Sequence, residues 1–108
     1  MREVTPARHR EIMLEKVKTE IELLKRHIQV LRAVVEHQPI GIMKLSELLD
    51  LPFHRIRYSL RVLEHMGYIR ASTAGATATR QGRELLVTLN QELEEMIGFL
   101  KDMERPPE

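Results

Sequence analysis

The stretch from residue 53 to residue 66 holds the side chains best suited to recognising an anionic partner. Its polar and apolar positions recur with the period of a helix, so one side of that helix is polar and the other apolar. The polar side carries hydrogen-bond donors and no carboxylate, and its members are His54, Arg57, Tyr58, Arg61 and His65. Arginine can donate two hydrogen bonds to guanine in a DNA major groove, and tyrosine can contact a thymine methyl group or a phosphate. The pattern therefore indicates a surface that contacts nucleic acid.

We predict different roles for the basic residues according to their place on and around this helix. Residues near its start enter a major groove first, so base-edge contacts are predicted for His54, Arg57 and Tyr58. Residues further along or at the flanks are predicted to contact DNA phosphates, and these are Lys44, Arg55, Arg61, Arg70 and Arg80. The alternative is a basic surface that has no ligand.

The opposite side of the same helix is apolar and should pack on a small domain. It is formed by Ile56, Leu60 and Leu63. A short helix is predicted before it over residues 44–49, and a tight break over 50–52 separates the two helices. Two helices joined by so short a turn form a helix-turn-helix motif.

A hairpin is predicted directly after this motif. Gly67 stands where a helix commonly ends in a left-handed residue. A strand is predicted over 68–72, a turn over 73–76 and a return strand over 77–79, with Thr79 as the cap of a last helix. The predicted fold class is therefore mainly α, a winged helix-turn-helix with a small β-hairpin wing and long N- and C-terminal helices.

The two long helices carry apolar residues at alternating steps of three and four, which is typical of helices that pack along another helix. We divide the chain into a long first helix over 1–37, the winged domain over 38–82, and a last helix with a disordered tail over 83–108. Homodimer contacts are predicted for Leu14, Val17, Ile21, Leu24, Leu89, Leu93, Met96 and Leu100. The alternatives are that the two helices pack only on each other within one chain, or that they bind a different protein.

Charge is distributed unevenly although the net charge is only +1. Residues 52–82 contain five arginines against one acid, Glu64, whereas residues 83–108 contain three bases and seven acids. An anionic partner is therefore expected on the middle of the chain.

Several classes of function lack the residues that they require. The chain has no cysteine, its five glycines form no phosphate-binding loop, and its five histidines do not show the spacing of a metal site. We therefore expect no enzymatic activity, no metal and no cofactor. No apolar stretch is long enough to span a membrane, and we expect a cytoplasmic protein. The sequence does not reveal whether a small-molecule effector binds.

A family resemblance agrees with this interpretation over about a third of the chain. The residues that carry it are Glu47-Leu48-Leu49, Ile56, Leu60, Leu63, Gly67-Tyr68-Ile69 and Thr79-Arg80-Gln81-Gly82. Their order and spacing resemble the winged-helix domains of small prokaryotic regulators of the ArsR, MarR and PadR kind, archaeal members included. Pro52 departs from this pattern, because a Ser or Thr cap is usual there, and the wing has no base at its tip.

The resemblance implies a sequence-specific transcriptional regulator that binds double-stranded DNA as a homodimer. Its long helices would then be dimerisation helices. The alternatives among functions of winged helices are a protein–protein interaction module within a larger complex and RNA binding.

Overall fold

The computed structural model describes residues 4–106, with side chains described from residue 12 onward. The elements follow in the order α1 (Val4–His37), α2 (Ile42–Leu49), α3 (Phe53–His65), β1 (Ile69–Ser72), β2 (Gly75–Ala78) and α4 (Arg80–Met103). The predicted fold class is confirmed, since a helix-turn-helix is followed by a two-stranded antiparallel hairpin and flanked by long helices. No helix in this part of the chain is long and apolar enough to cross a membrane.

One apolar core holds the small domain together. The C-terminal part of α1 contributes residues from successive helical turns to this core, so this part of α1 belongs to the domain. The rest of α1 extends beyond the domain. The buried apolar residues of this core are Val30, Leu31, Ala33, Val34, Ile40, Leu45, Ile56, Leu63, Ile69 and Ala76. The core thus joins α1, α2, α3 and the hairpin.

The turn between α2 and α3 is closed by the side chain and backbone of Ser46. Asp50 adopts the left-handed conformation, with φ of 54°, and its N–H donates to the Ser46 carbonyl. Ser46 Oγ in turn donates to the carbonyl of Leu51. Pro52 precedes α3 as its cap residue and offers no side-chain hydrogen bond. The hydrogen bonds of Ser46 therefore close the turn, whereas the Arg55 and Ile56 N–H groups at the start of α3 donate to the Pro52 carbonyl.

The hairpin pairs Ile69 with Ala78 and Ser72 with Gly75. Its return strand begins at Gly75 and not at residue 77 as predicted. The physical reason is a contact with the segment before α2, because Ile40 exchanges two backbone hydrogen bonds with Ala76, at 3.1 and 2.7 Å. A Cβ atom on Gly75 would lie 2.6 Å from the Ile40 carbonyl carbon, so only glycine allows this approach.

Thr79 links the hairpin to α4 and caps the helix as predicted. Its Oγ1 accepts a hydrogen bond from the Gly82 N–H at 3.1 Å and donates one to the Gly67 carbonyl at 2.6 Å. Gly82 is buried, and its backbone lies against the Tyr68 carbonyl. The Thr79 to Gly82 spacing therefore serves to dock the start of α4 on Gly67 and Tyr68, which join α3 to β1.

Candidate nucleic-acid interface

Helix α3 has one buried side and one solvent-facing side. Ile56, Ser59 and Leu63 are buried, and Leu60 is half-buried. The five polar residues predicted to face outward are all exposed: His54, Arg57, Tyr58, Arg61 and His65. The predicted division of the helix thus agrees with the structure, except that a polar residue, Ser59, belongs to the buried side.

The hairpin bounds this exposed surface on one side. Arg57 and Arg61 line a groove of about 360 Å³ between α3 and the hairpin, whose floor includes Leu60 and Ile69. Glu64 lines the same groove, so a carboxylate lies beside the two arginines. The cations nevertheless outnumber the acid, and the groove opens beside the outer side of α3.

Helix α1 bounds the surface on the other side. Arg55 lies with Lys25 and Arg26 in a cleft of about 440 Å³ between α1 and the start of α3, and Glu22 also lines it. Sequence reasoning did not single out Lys25 or Arg26. The periodicity of α1 identifies its apolar side, but it does not reveal which of its polar residues approach α3.

The remaining residues predicted to contact phosphate lie on other elements and are exposed. Lys44 Nζ lies 3.9 Å from Glu47 Oε1 on α2, and Arg80 Nε lies 3.1 Å from Glu84 Oε2 on α4. Arg70 is exposed on β1. Exposed ion pairs of this kind contribute about 0–1 kcal/mol, so an incoming phosphate can compete for both cations.

A hydrogen bond between α1 and α3 was not foreseen from the sequence. His27 Nδ1 lies 2.8 Å from Ser59 Oγ, and the Ser59 side chain is fully buried. The His27 ring also lies beside that of Tyr58, with centroids 5.9 Å apart. Partial burial lowers the pKa of His27 below 6.5, and the Arg26 charge lowers it further, whereas Glu20 opposes the shift. Neutral imidazole is therefore favoured at this position.

The residues predicted to form a dimer interface fall into three groups by exposure. Leu14, Val17, Ile21, Met96 and Leu100 are exposed. Leu24 and Leu93 are half-buried and line an apolar groove of about 310 Å³ between α1 and α4. Leu89 is only 4% exposed within a single chain, so it stabilises the packing of α4 before any partner binds.

Among the described residues, no three His, Asp or Glu side chains are grouped so that they could hold a metal ion. The features that remain are a helix-turn-helix, a hairpin, and an exposed helix face rich in cations and donors. Together they define a DNA-binding domain of the kind that regulators use.

The comparison with protein families supports this class. Residues 23–97 match the family described as the CggR N-terminal DNA binding domain. Since the match covers more than half of the chain, the chain belongs to this family, which favours a DNA-binding regulator over an enzyme. The match supports the part of the resemblance that concerns a helix-turn-helix regulator. It does not support the particular likeness to the ArsR, MarR or PadR groups.

A solved structure from Listeria innocua Clip11262, titled as a protein with unknown function, is similar in fold. Its sequence is 14% identical, the alignment covers 93% of this chain and 95% of that chain, and the TM-score is 0.56. At this identity the likeness concerns the fold alone. No curated protein sequence matches the chain.

Proposed function

We propose that the protein is a transcriptional regulator that binds double-stranded DNA sequence-specifically as a homodimer. The observation that carries this proposal is the exposed face of α3, which presents arginine, tyrosine and histidine donors between the hairpin and α1. A helix with such a face fits a major groove, which is about 12 Å wide. The family membership supports the DNA partner.

In this proposal the base edges are read by His54, Arg57 and Tyr58. Phosphates on either side of the groove are held by Lys44, Arg55, Arg61, Arg70 and Arg80. Arg55 lies at the α1 border of the exposed surface, which suits a phosphate contact. Arg57 and Arg61 both line the hairpin border, and they are assigned different roles because Arg57 lies nearer the start of α3. Phosphate contacts set the register of the protein on the duplex, and base contacts select the sequence.

A second copy of the chain is the proposed occupant of the apolar surface on α1 and α4. Charge complementarity favours this partner. Lys18, Lys25 and Arg32 follow one edge of the α1 stripe at seven-residue intervals, and Glu92 flanks the α4 stripe. Helix α4 of one copy can thus cover α1 of the other with this carboxylate near the basic edge of α1. Two α3 helices would then reach major grooves about 34 Å apart on a near-palindromic site.

The DNA-binding part of the proposal is tested by fluorescence anisotropy with labelled duplexes at several salt concentrations. Arg61→Ala should weaken binding to all sequences and reduce the slope of log affinity against log salt by about 0.9 per lost phosphate contact. Arg57→Ala should relax the preferred sequence at one position, with a loss of about 1–3 kcal/mol on the preferred site. Lys101→Ala, a cation near the end of α4 that pairs with Glu104, is the matched control and should bind normally.

The outcomes separate the candidate functions. Absence of duplex binding at low salt refutes the proposal. Preference for single-stranded or duplex RNA of the same sequence indicates RNA binding instead. Equal losses in Arg61→Ala and Lys101→Ala show that only overall charge matters and that α3 is not the binding surface.

The homodimer is tested separately by analytical ultracentrifugation. Met96→Glu combined with Leu100→Glu places charges on the exposed apolar stripe of α4 and should produce monomers. Val87→Glu is the matched control, because Val87 is 82% exposed and lies on the opposite side of the same helix from Met96. A monomeric wild type at micromolar concentration, or dissociation by Val87→Glu alone, contradicts the proposed interface.

A further inference from the structure

The contact between His27 and Ser59 joins the long helix α1 to the helix that carries the proposed base contacts. Among the described residues it is the one side-chain hydrogen bond that links two helices. Ser59 is fully buried on the inner side of α3, and Tyr58, directly before it, is exposed on the outer side. The imidazole of His27 therefore contacts both a buried and a solvent-facing residue of α3.

The buried hydroxyl gives this contact its importance. A buried polar group without a hydrogen-bond partner costs about 1–3 kcal/mol, so Ser59 is held where His27 can reach it. Successive residues of a helix are rotated by about 100°. Holding Ser59 in place therefore also sets the direction in which Tyr58 and the rest of the outer side of α3 point. The His27 ring restricts Tyr58 further, because the two rings are in contact at a tilt of 42°.

We propose that His27 is a positioning residue for DNA recognition, acting through Ser59 and Tyr58 to set the orientation of α3 relative to α1. This inference rests on the proposed function, since it assumes that the outer side of α3 binds DNA. It extends that function to α1, which also carries the exposed apolar stripe. The same helix would then set both the separation of two α3 helices and the direction in which each one points.

Three substitutions of His27 distinguish a positioning role from general packing. His27→Leu keeps much of the volume and removes the polar atoms. His27→Asn places an amide where Nδ1 stood, so it can still bond Ser59 Oγ. His27→Gln carries its amide further along the side chain, at the distance of Nε2. His37→Leu is the matched control, because His37 is an exposed histidine at the end of the same helix.

We expect His27→Leu and His27→Gln to weaken binding to the preferred duplex by about tenfold, the effect of one lost hydrogen bond. His27→Asn should restore most of the affinity, and His37→Leu should bind like wild type. Affinities are measured by anisotropy on full-length protein, well below each variant's thermal midpoint. Ser59→Ala should reproduce the loss, and combining it with His27→Leu should add little, because both substitutions remove the same hydrogen bond.

The inference fails if wild type binds DNA and His27→Leu binds equally well, and the proposed function then stands. It also fails if His27→Asn and His27→Leu bind DNA equally weakly and if Ser59→Ala, combined with either of them, lowers the affinity by its full separate effect. The histidine would then act only through packing. If His27→Leu does not fold, Ser59→Ala and His27→Asn still decide the question. Failure of wild type to bind any duplex refutes the proposed function itself.

Discussion

Gly82 and Gly98 lie in the same helix, and we expect opposite effects when each is changed to alanine. A Cβ atom on Gly82 would overlap the carbonyl oxygen of Tyr68, and would lie 3.1 Å from the Tyr68 carbonyl carbon and 3.3 Å from Leu31 Cδ1. The Tyr68 carbonyl already accepts the Thr79 N–H at 3.0 Å, so moving it disturbs the junction of α3, the hairpin and α4. A Cβ on Gly98 would meet nothing within 4 Å.

The magnitudes follow from two opposing effects. Inserting a methyl group into a filled site costs about 1–3 kcal/mol, and contact with backbone favours the upper end of this range. Replacing a helical glycine by alanine contributes about 1 kcal/mol of stability. Gly82→Ala should therefore destabilise the protein by about 2 kcal/mol, whereas Gly98→Ala should stabilise it by about 1 kcal/mol. The corresponding thermal midpoints should fall by about 8–16 °C and rise by about 4–8 °C.

Urea and thermal unfolding followed by circular dichroism, at one fixed protein concentration, measure both changes. The dependence of unfolding free energy on urea should stay unchanged, since neither substitution alters the surface exposed on unfolding. A Gly82→Ala variant as stable as wild type refutes the close approach of α4 to the Tyr68 carbonyl. A destabilised Gly98→Ala variant shows that a partner covers the side of α4 opposite the apolar stripe.

Two further outcomes are expected. Because folding lowers the pKa of His27 below 6.5, its contribution to stability is complete above that pH and is lost as pH falls through the lowered pKa. The urea midpoint should fall as the pH is lowered through this window in wild type and in His37→Asn, and it should fall less in His27→Asn. Identical pH profiles of the urea midpoint in all three proteins would contradict the assignment of this pH dependence to His27. Leu45→Ala, at a fully buried position, should cost about 2–5 kcal/mol. Leu48→Ala, 47% exposed on the same helix, should stay within about 0.5 kcal/mol, and equal losses would show that α2 packs through a different face.

Local patterns were sufficient to predict the elements and the two sides of α3. Helical periodicity separated Ile56 and Leu63 from the exposed donors, since it depends only on residue spacing within one helix. The cap at Thr79 was likewise predictable, because a capping hydroxyl and the N–H that it accepts lie three residues apart. The resemblance to winged-helix regulators added the expectation of DNA, and the family match supports it at the level of the class.

The contacts between distant parts of the chain were decided only by the tertiary structure. The early start of β2 depends on Ile40, which lies far before Ala76 in the sequence. Lys25 and Arg26 join the border of the exposed α3 surface only because α1 crosses α3 at that point.

The donor-rich side of α3 was thus determined by the sequence, whereas the contacts that orient it were not. His27 and Ser59 are 32 residues apart, and no sequence motif links the two positions. Spacing within a helix reveals which residues share a side, but the packing of two helices decides which residues of one meet those of the other. The orientation of α3 by His27 therefore becomes visible only once α1 and α3 are packed together.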